Sequence, residues 1–543
     1  MDTSPGSSPD GDPVAQVSII VIAHNEQAHV RAAVSSALCQ GPTVHEVIAV
    51  DDASTDATVA VLARIAATDT RLRVLRREQN SGGCGTPRND GLIAATGRYV
   101  MFLDGDDVLA EGAVAKLLAA AHTNDADVAI GACVRRELPE GRDVPWQPRL
   151  FRTARTLPDP EAEPGLIRDT LCVNKLYTRD FLTQHAIRFP EGAFRYEDFV
   201  FSARVLAAGP RCTLITDTVY VWHVRREAAR PSLSLDRGAV TNWEARLRAH
   251  RESVDVLEGG GRPVLARAAR TKFLDHDLRM YLRELHTHHE GYRSDWWRLT
   301  REYLSSFSER EIEAARAPSR WCARVVLAAE EPTDLTRLTE LAARPARLIP
   351  PYTRRDGRAV WTPSLPQVEL DGILAKPLHR LPVTVTAEPE PGRRSNLVIT
   401  LHDLYGRLAS ATPRSVVVDV FRRTSPGLSF QLTGELVARP QDGTWRADLP
   451  FDVREFADGL TSAGRSAAWD LRVTVRFDDG RKVSAVPRLP ERRMPRRVLL
   501  TRRGLLLLQP YRTTSGDLAI RVAWGLRGAV EVAVGRLRRF LRR

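Results

Sequence analysis

Acidic side chains gather at three points in the first half of the 543-residue chain: His24-Asn25-Glu26, Asp51-Asp52-Ala53-Ser54-Thr55-Asp56 and Asp104-Gly105-Asp106-Asp107, each directly after an apolar run. The last puts three carboxylates within four residues, and their mutual repulsion favours protonation unless a cation sits among them. Hard oxygen donors suit Mg2+ or Mn2+, and such an ion can bridge a diphosphate and neutralise the charge that develops as it departs. A lone D-x-D would be read as a solvated acidic turn. Phosphate-holding alternatives are missing: no G-x-G-x-x-G follows the first apolar run and no G-x-x-x-x-G-K-[ST] occurs anywhere, so neither a dinucleotide fold nor a P-loop is supported.

The elements that must carry these clusters follow from periodicity. Val17–Ile22 (VSIIVI), Glu46–Val50, Arg71–Leu75 and Arg98–Leu103 read as buried strands, and residues 25–40 and 55–67 between them repeat apolar residues at helical spacing. Strands alternating with helices predict an α/β domain, Rossmann-like, with a mostly parallel sheet. Open sheets of that kind bind ligands beyond the carboxyl ends of their strands, which is where all three acidic clusters fall. Ser54-Thr55-Asp56 has the composition of a helix cap, a reading that suits Asp56 better than Asp52.

Four runs in order, VSIIVIAHNE, VIAVDDASTDAT, NSGGCGTPRNDGLIAATGRYVMFLDGDD and YEDFVF, resemble the successive motifs of family 2 glycosyltransferases with the GT-A fold. The resemblance spans residue 17 to about 234. It implies that Ala23, Glu26 and Asp52 line the nucleotide base and ribose pocket and that Arg88 approaches the diphosphate. It further implies that Asp104 and Asp106 are the metal-binding pair, Asp106 the more direct ligand and Asp104 acting on the ribose or through water, with Asp107 a lesser partner. Glu197-Asp198 resembles the E-D motif, in which the aspartate takes the proton of the acceptor hydroxyl. A carboxylate beside another has a raised pKa, nearer to what proton abstraction at neutral pH needs; the same residue could cap a helix over 199–208. Asn174-Lys175-Leu176-Tyr177 and Phe189-Pro190-Glu191-Gly192 look like the version in bacterial cell-wall and capsule enzymes, including those that decorate teichoic acids, with Lys175 either near an anionic acceptor or on the surface. Residues 220–226 with Ser232 resemble a closing segment over the donor phosphates. There His223 would be a further metal ligand and Arg226 and Ser232 would bind diphosphate; a buried structural histidine is the competing reading.

The chain beyond about residue 235 changes character. Residues 236–348 are helical in period and are read as a connector; its His286, His288 and His289 match no zinc spacing and read as a solvated turn. A Pro-rich linker at 349–380 precedes short β-branched runs over 381–521, with Asp478-Asp479-Gly480 as a hairpin turn, which predicts an all-β, immunoglobulin-like sandwich. The net charge is +12, and residues 488–543 carry fifteen Arg against three acidic residues, an excess equal to the whole. Within that stretch, 522–543 reads as a basic amphipathic helix, either a membrane-surface anchor or a helix packed on protein. Residues 1–16 read as a disordered tail without the apolar core of a secretory signal, and no transmembrane run is found. Six scattered cysteines without a C-x-x-C pair suit a reducing compartment.

Together these features predict an inverting, metal-dependent glycosyltransferase at 17–235, cytoplasmic and peripheral on the inner face of the membrane. The donor that the family resemblance implies is a nucleotide-diphosphate sugar, foremost a UDP-sugar, and the expected acceptor is an anionic cell-envelope glycan or polyol-phosphate polymer. The β domain would grip that polymer or join copies of the chain. The rivals are a nucleotidyltransferase, which lacks its Gly-rich basic loop, and a non-catalytic glycan-binding or assembly protein with a degenerate transferase domain. A nucleic-acid binder has no reading motif or aromatic stacking series to support it.

Overall fold

The computed structural model describes residues 16–225, 237–390, 395–452, 456, 466–490, 497–501, 504–513 and 516–525, and the chain divides into two compact units, Met1–Phe273 and Leu274–Arg543. In the first, strands β1 (Val17–Ala23), β2 (Val44–Asp51), β3 (Leu72–Arg76), β4 (Tyr99–Asp104), β5 (Val108–Leu109), β6 (Val128–Leu138), β7 (Arg142–Pro145), β8 (Arg155–Leu157), β9 (Lys175–Thr178) and β10 (Cys212–Arg225) build one sheet. Its main order is β3-β2-β1-β4-β9-β6-β10-β5, with β7 beside β6 and β8 beside β10. The half from β3 to β4 is parallel, as is β6 with β10; β9 enters antiparallel to both its neighbours. The expected α/β class with a parallel core is therefore present, with an antiparallel insertion at its centre.

The apolar runs are continuous because these strands are covered on both faces: Val17, Ile19, Ile20 and Val21 are wholly buried. The helices are α1 (Val30–Leu38), α2 (Thr58–Ala66), α3 (Gly85–Ala94), α4 (Ala113–Thr123), α5 (Arg179–Gln184), α6 (Glu197–Ala207), α7 (Val240–Gly259) and α8 (Pro263–Lys272). Helix α3 lies hard against β1, since a Cβ at Gly91 would come within 2.3 Å of the Ile20 side chain. Register then sets the site: Ala23 pairs with Asp51 and Ile22 with Asp104, so the ends of three adjacent strands stand level.

Helices α7 and α8, in the stretch expected to be a connector, belong to this first unit. The second unit begins with helices Arg279–Leu285, Glu290–Leu304, Glu309–Ala314, Ala317–Ala328 and Leu335–Ala342, packed around the buried Trp296, Trp297 and Trp321. His289 is the N-cap of the helix at 290, accepting from the Tyr292 N–H at 3.2 Å. The Pro-rich stretch holds more order than a linker: Thr353–Arg355, Arg358–Thr362 and Leu365–Glu369 form an antiparallel sheet. Two further β sheets follow, one of four strands and one of seven. They approach closely at Gly434, where a Cβ would sit 2.3 Å from the Leu449 side chain. The hairpin at Asp478-Asp479-Gly480 joins Ser466–Phe477 to Lys482–Ala485, with Gly480 at φ +80° as the tight turn requires.

The start of the expected terminal helix needs correction. Val522, Ala523 and Trp524 close a strand, Leu518–Trp524, paired with both Gly504–Arg512 and Ser466–Asp470. Buried Val522 and Ala523, at 0% and 1% exposure on opposite faces, are what a central strand needs. The rest of that expected helix, 526–543, lies outside the described residues. Among those described, no helix is long and apolar enough to cross a membrane.

Candidate active site

The D-G-D turn after β4 is possible only because its middle residue is glycine. A Cβ on Gly105 would lie 2.7 Å from the Ile22 carbonyl oxygen and 3.2 Å from the Ala23 Cβ, so the acidic turn presses directly on the end of β1. Ala23 is thus buried against the turn, and its carbonyl accepts the Asp52 N–H at 2.9 Å. Two more glycines bring in the second half of the site: a Cβ on Gly83 or on Gly85 would collide with the Gly192 or Pro190 carbonyl oxygen, at 2.5 and 2.0 Å. Asn89 completes that join, donating to the Phe189 carbonyl and to Glu191 at 3.0 Å each and accepting the Phe189 N–H at 2.9 Å. The segment 189–194 leads straight into α6, so its docking on α3 delivers Glu197 and Asp198 to the acidic edge.

Arg88 occupies the point where these parts meet. It is 4% exposed; Nη2 donates to Asp104 Oδ1 at 2.7 Å and Nη1 to Glu197 Oε1 at 2.5 Å, with the Phe189 ring centroid 5.2 Å away. One cation therefore binds the end of β4 to the start of α6, and this buried bridge is the main contact of a residue expected to approach diphosphate.

The remaining carboxylates divide between supporting and charged roles. Asp107 is buried and satisfied: Tyr220 Oη donates to it at 2.8 Å and the His223 N–H at 2.7 Å. Burial and the charges of Asp106 and Asp104 hold its carboxyl well above the ordinary range. Asp106 receives Arg225 Nη1 at 3.0 Å. Burial, then Asp104 and Glu26, push its carboxyl up to about 6 against the pull of Arg225. Glu26 holds His29 Nδ1 at 2.8 Å. Asp52 anchors the loop after β3, accepting from Asn80, from the Ser81 N–H and from Ser81 Oγ at 2.8 to 3.1 Å, with Arg77 Nε at 3.0 Å. Asp56 accepts the Thr58 N–H at 2.9 Å just ahead of α2, whose N-cap position is Ala57.

Asp198 is half-buried at the start of α6 and accepts the Phe199 N–H at 3.0 Å. Burial and the neighbouring Glu197 push its carboxyl up to about 7, opposed by Arg88, Lys272 and Arg246. That lies where a general base at neutral pH is most effective.

One sequence expectation changes. Lys175 is neither an acceptor contact nor a surface residue: it is buried and paired with Asp169 Oδ2 at 2.9 Å, with Asn174 Oδ1 at 3.1 Å. His223 Nδ1 lies 3.2 Å from the Asp106 carbonyl oxygen, and burial lowers its pKa. Among the described residues no group of three His, Cys, Asp or Glu side chains could hold a metal ion. Two carboxylates, Asp104 and Asp106, could hold Mg2+ or Mn2+ if substrate phosphates and water filled the other positions. Arg226 and Ser232 lie outside the described residues. Three contributors escaped the sequence reading: Asn89, Tyr220 and Arg225. Strand alternation could have found the last, since residues two apart share a face and His223 is followed by Arg225.

Residues 18–182 match the family model described as glycosyl transferase family 2. The succinoglycan biosynthesis protein ExoO of Rhizobium meliloti is 31% identical over 224 residues, 39% of this chain and 62% of that protein. The poly(ribitol-phosphate) beta-N-acetylglucosaminyltransferase TarS of Staphylococcus aureus is 30% identical over 212 residues, 39% of this chain and 36% of TarS. The chain thus spans less than two thirds of either relative. The crystal structure of S. aureus TarS superposes with a TM-score of 0.50 at 16% identity, covering 94% of this chain and 86% of that one, a likeness of fold.

Proposed function

We propose that this protein is an inverting glycosyltransferase that moves a sugar from a nucleotide-diphosphate donor, foremost a UDP-sugar, to a hydroxyl of an anionic cell-envelope polymer. The observation that carries the reading is the Arg88 bridge, which holds the Asp104–Asp107 turn and the Glu197-Asp198 pair on one edge of the sheet. Asp104 and Asp106 would hold a divalent cation, which when bound supplies positive charge to the donor diphosphate. Ala23, Glu26 and Asp52 would border the nucleotide at the ends of β1 and β2. Asp198 takes the proton of the acceptor hydroxyl as its oxygen forms the new bond to the anomeric carbon and the nucleotide diphosphate leaves from the opposite face. A single displacement of this kind inverts the anomeric centre and needs no covalent intermediate. The activity named for TarS supports a polyol-phosphate acceptor, and the cationic stretch from 488 onward would attract such a polymer or an anionic membrane face. The C-terminal sheets, as an immunoglobulin-like sandwich, would grip the polymer or join copies of the chain.

The test is nucleotide release from a panel of UDP-, GDP- and dTDP-sugars, with Mn2+ and with chelator. Turnover of one donor, lost with chelator and in Asp106→Ala, is the expected result. Asp198→Asn should lower kcat by roughly 10²- to 10⁴-fold with the fold intact; wild-type turnover in that variant removes the base, and no turnover of any donor removes the function.

A further inference from the structure

The residues that fix the start of α6 come from α7 and α8, well past residue 182 where the family match ends. Tyr196, the residue before α6, adopts φ 64°, a left-handed conformation that a tyrosine keeps only when its surroundings hold it there. Those surroundings are specific. Tyr196 Oη donates to Asn242 Oδ1 at 2.8 Å. The Arg246 guanidinium lies 4.5 Å from the Tyr196 ring centroid and 5.2 Å from that of Phe199, and Lys272 Nζ lies 4.4 Å from Phe199. Tyr196, Phe199, Val200 and Ala249 belong to one buried apolar cluster, within which Arg246 and Lys272 are only 7% and 8% exposed.

Both cations thus sit on the rings of the residues that flank Asp198 in the chain, and both favour its charged form. We propose that Arg246 and Lys272 are positioning residues for Asp198: they clamp the rings of Tyr196 and Phe199 on either side of it, and their charge compensates the carboxylate while it waits for the acceptor. This rests on the reading of Asp198 as the base. Among the described residues, the charged and titratable groups that act on Asp198 include Glu197 on its own helix, Arg88 on α3, Cys172 ahead of β9, Arg246 on α7 and Lys272 on α8. Burial and Glu197 act against the charged form and the three cations favour it, so removing one cation makes the base harder to ionise.

The experiment follows nucleotide release from the turned-over UDP-sugar as a function of pH, in full-length protein, for Lys272→Met, Arg246→Gln and Lys272→Arg. The neutral variants are expected to keep the donor KM and to move the acid limb of kcat/KM upward, so that activity falls roughly tenfold more at pH 6 than on the alkaline plateau. Lys272→Arg should restore the limb. A loss of equal size at every pH, or no loss, overturns the proposal. Should the neutral variants fail to fold, Arg246→Lys decides: its shorter, compact cation cannot span both rings, so kcat should fall with donor KM unchanged, and wild-type kcat or a raised KM overturns the proposal. Asp198→Asn run alongside separates the two readings. Full turnover in that variant removes the base itself, whereas an inactive Asp198→Asn with an unmoved limb in Lys272→Met removes only the clamp.

Discussion

Glu46 and Asp106 lie at opposite ends of the same parallel strands and meet opposite fates. Glu46, near the start of β2, is buried, which by itself would raise its pKa. Hydrogen bonds from Thr96, Arg73 and Ser18 outweigh burial and hold the carboxyl down at about 2. Asp106, past the end of β4, is pushed up to about 6, because the charges of Asp104 and Glu26 add to burial and Arg225 only partly answers them. The leading end of the sheet spends its donors on a carboxylate that must stay put; the trailing end crowds carboxylates and leaves them short of positive charge. A bound divalent cation would relieve that crowding, so the contrast separates a carboxylate whose charge the fold answers from one whose charge it answers only in part.

Three measurements probe that contrast. The largest effect is expected at the trailing end from Gly105→Ala: a Cβ 2.7 Å from the Ile22 carbonyl must displace the acidic turn by a fraction of an ångström to an ångström, and misplacement on that scale costs on the order of 10²-fold in kcat. Retention of full activity would mean that the turn is not held against β1. At the leading end, Glu46→Gln should lower unfolding stability by about 1–3 kcal/mol and leave kcat at saturating donor unchanged. Because the folded pKa of Glu46 is depressed, its stabilisation is present above the unfolded value of 4.5 and is lost as pH falls toward 2; denaturant titrations at neutral and acid pH check both. The smallest effect is the pH profile of the wild type. With Asp198 raised to about 7 and active as the anion, kcat/KM should rise through neutrality and flatten above it, falling about tenfold for each pH unit below the midpoint. An acid limb near pH 4 would place the ionising group elsewhere.

What could be read from the sequence was local. Apolar runs such as VSIIVI announce buried strands, and Asp104-Gly105-Asp106-Asp107 announces its own chemistry, because each signal lies within a few consecutive residues. The Arg88 bridge could not be read that way. It joins positions 109 residues apart, and TPRND says nothing of Glu197 until α3 and the segment 189–194 are folded together. Lys175 failed for a related reason: a lysine in a β run looks exposed or functional until the Asp169 beneath it is seen. The helix expected from Val522 failed because two apolar residues suit a central strand as well as a helix face, and only pairing with Gly504–Arg512 and Ser466–Asp470 decides between them.

Sharing one guanidinium between Asp104 and Glu197 has a consequence for recombining this domain with its relatives. A crossover placed between those positions would draw the arginine and the glutamate from different parents, and the bridge would form only where both parents place those side chains alike. Productive chimeras of this scaffold therefore call for breakpoints upstream of Arg88 or downstream of Glu197, so that the trio is inherited intact.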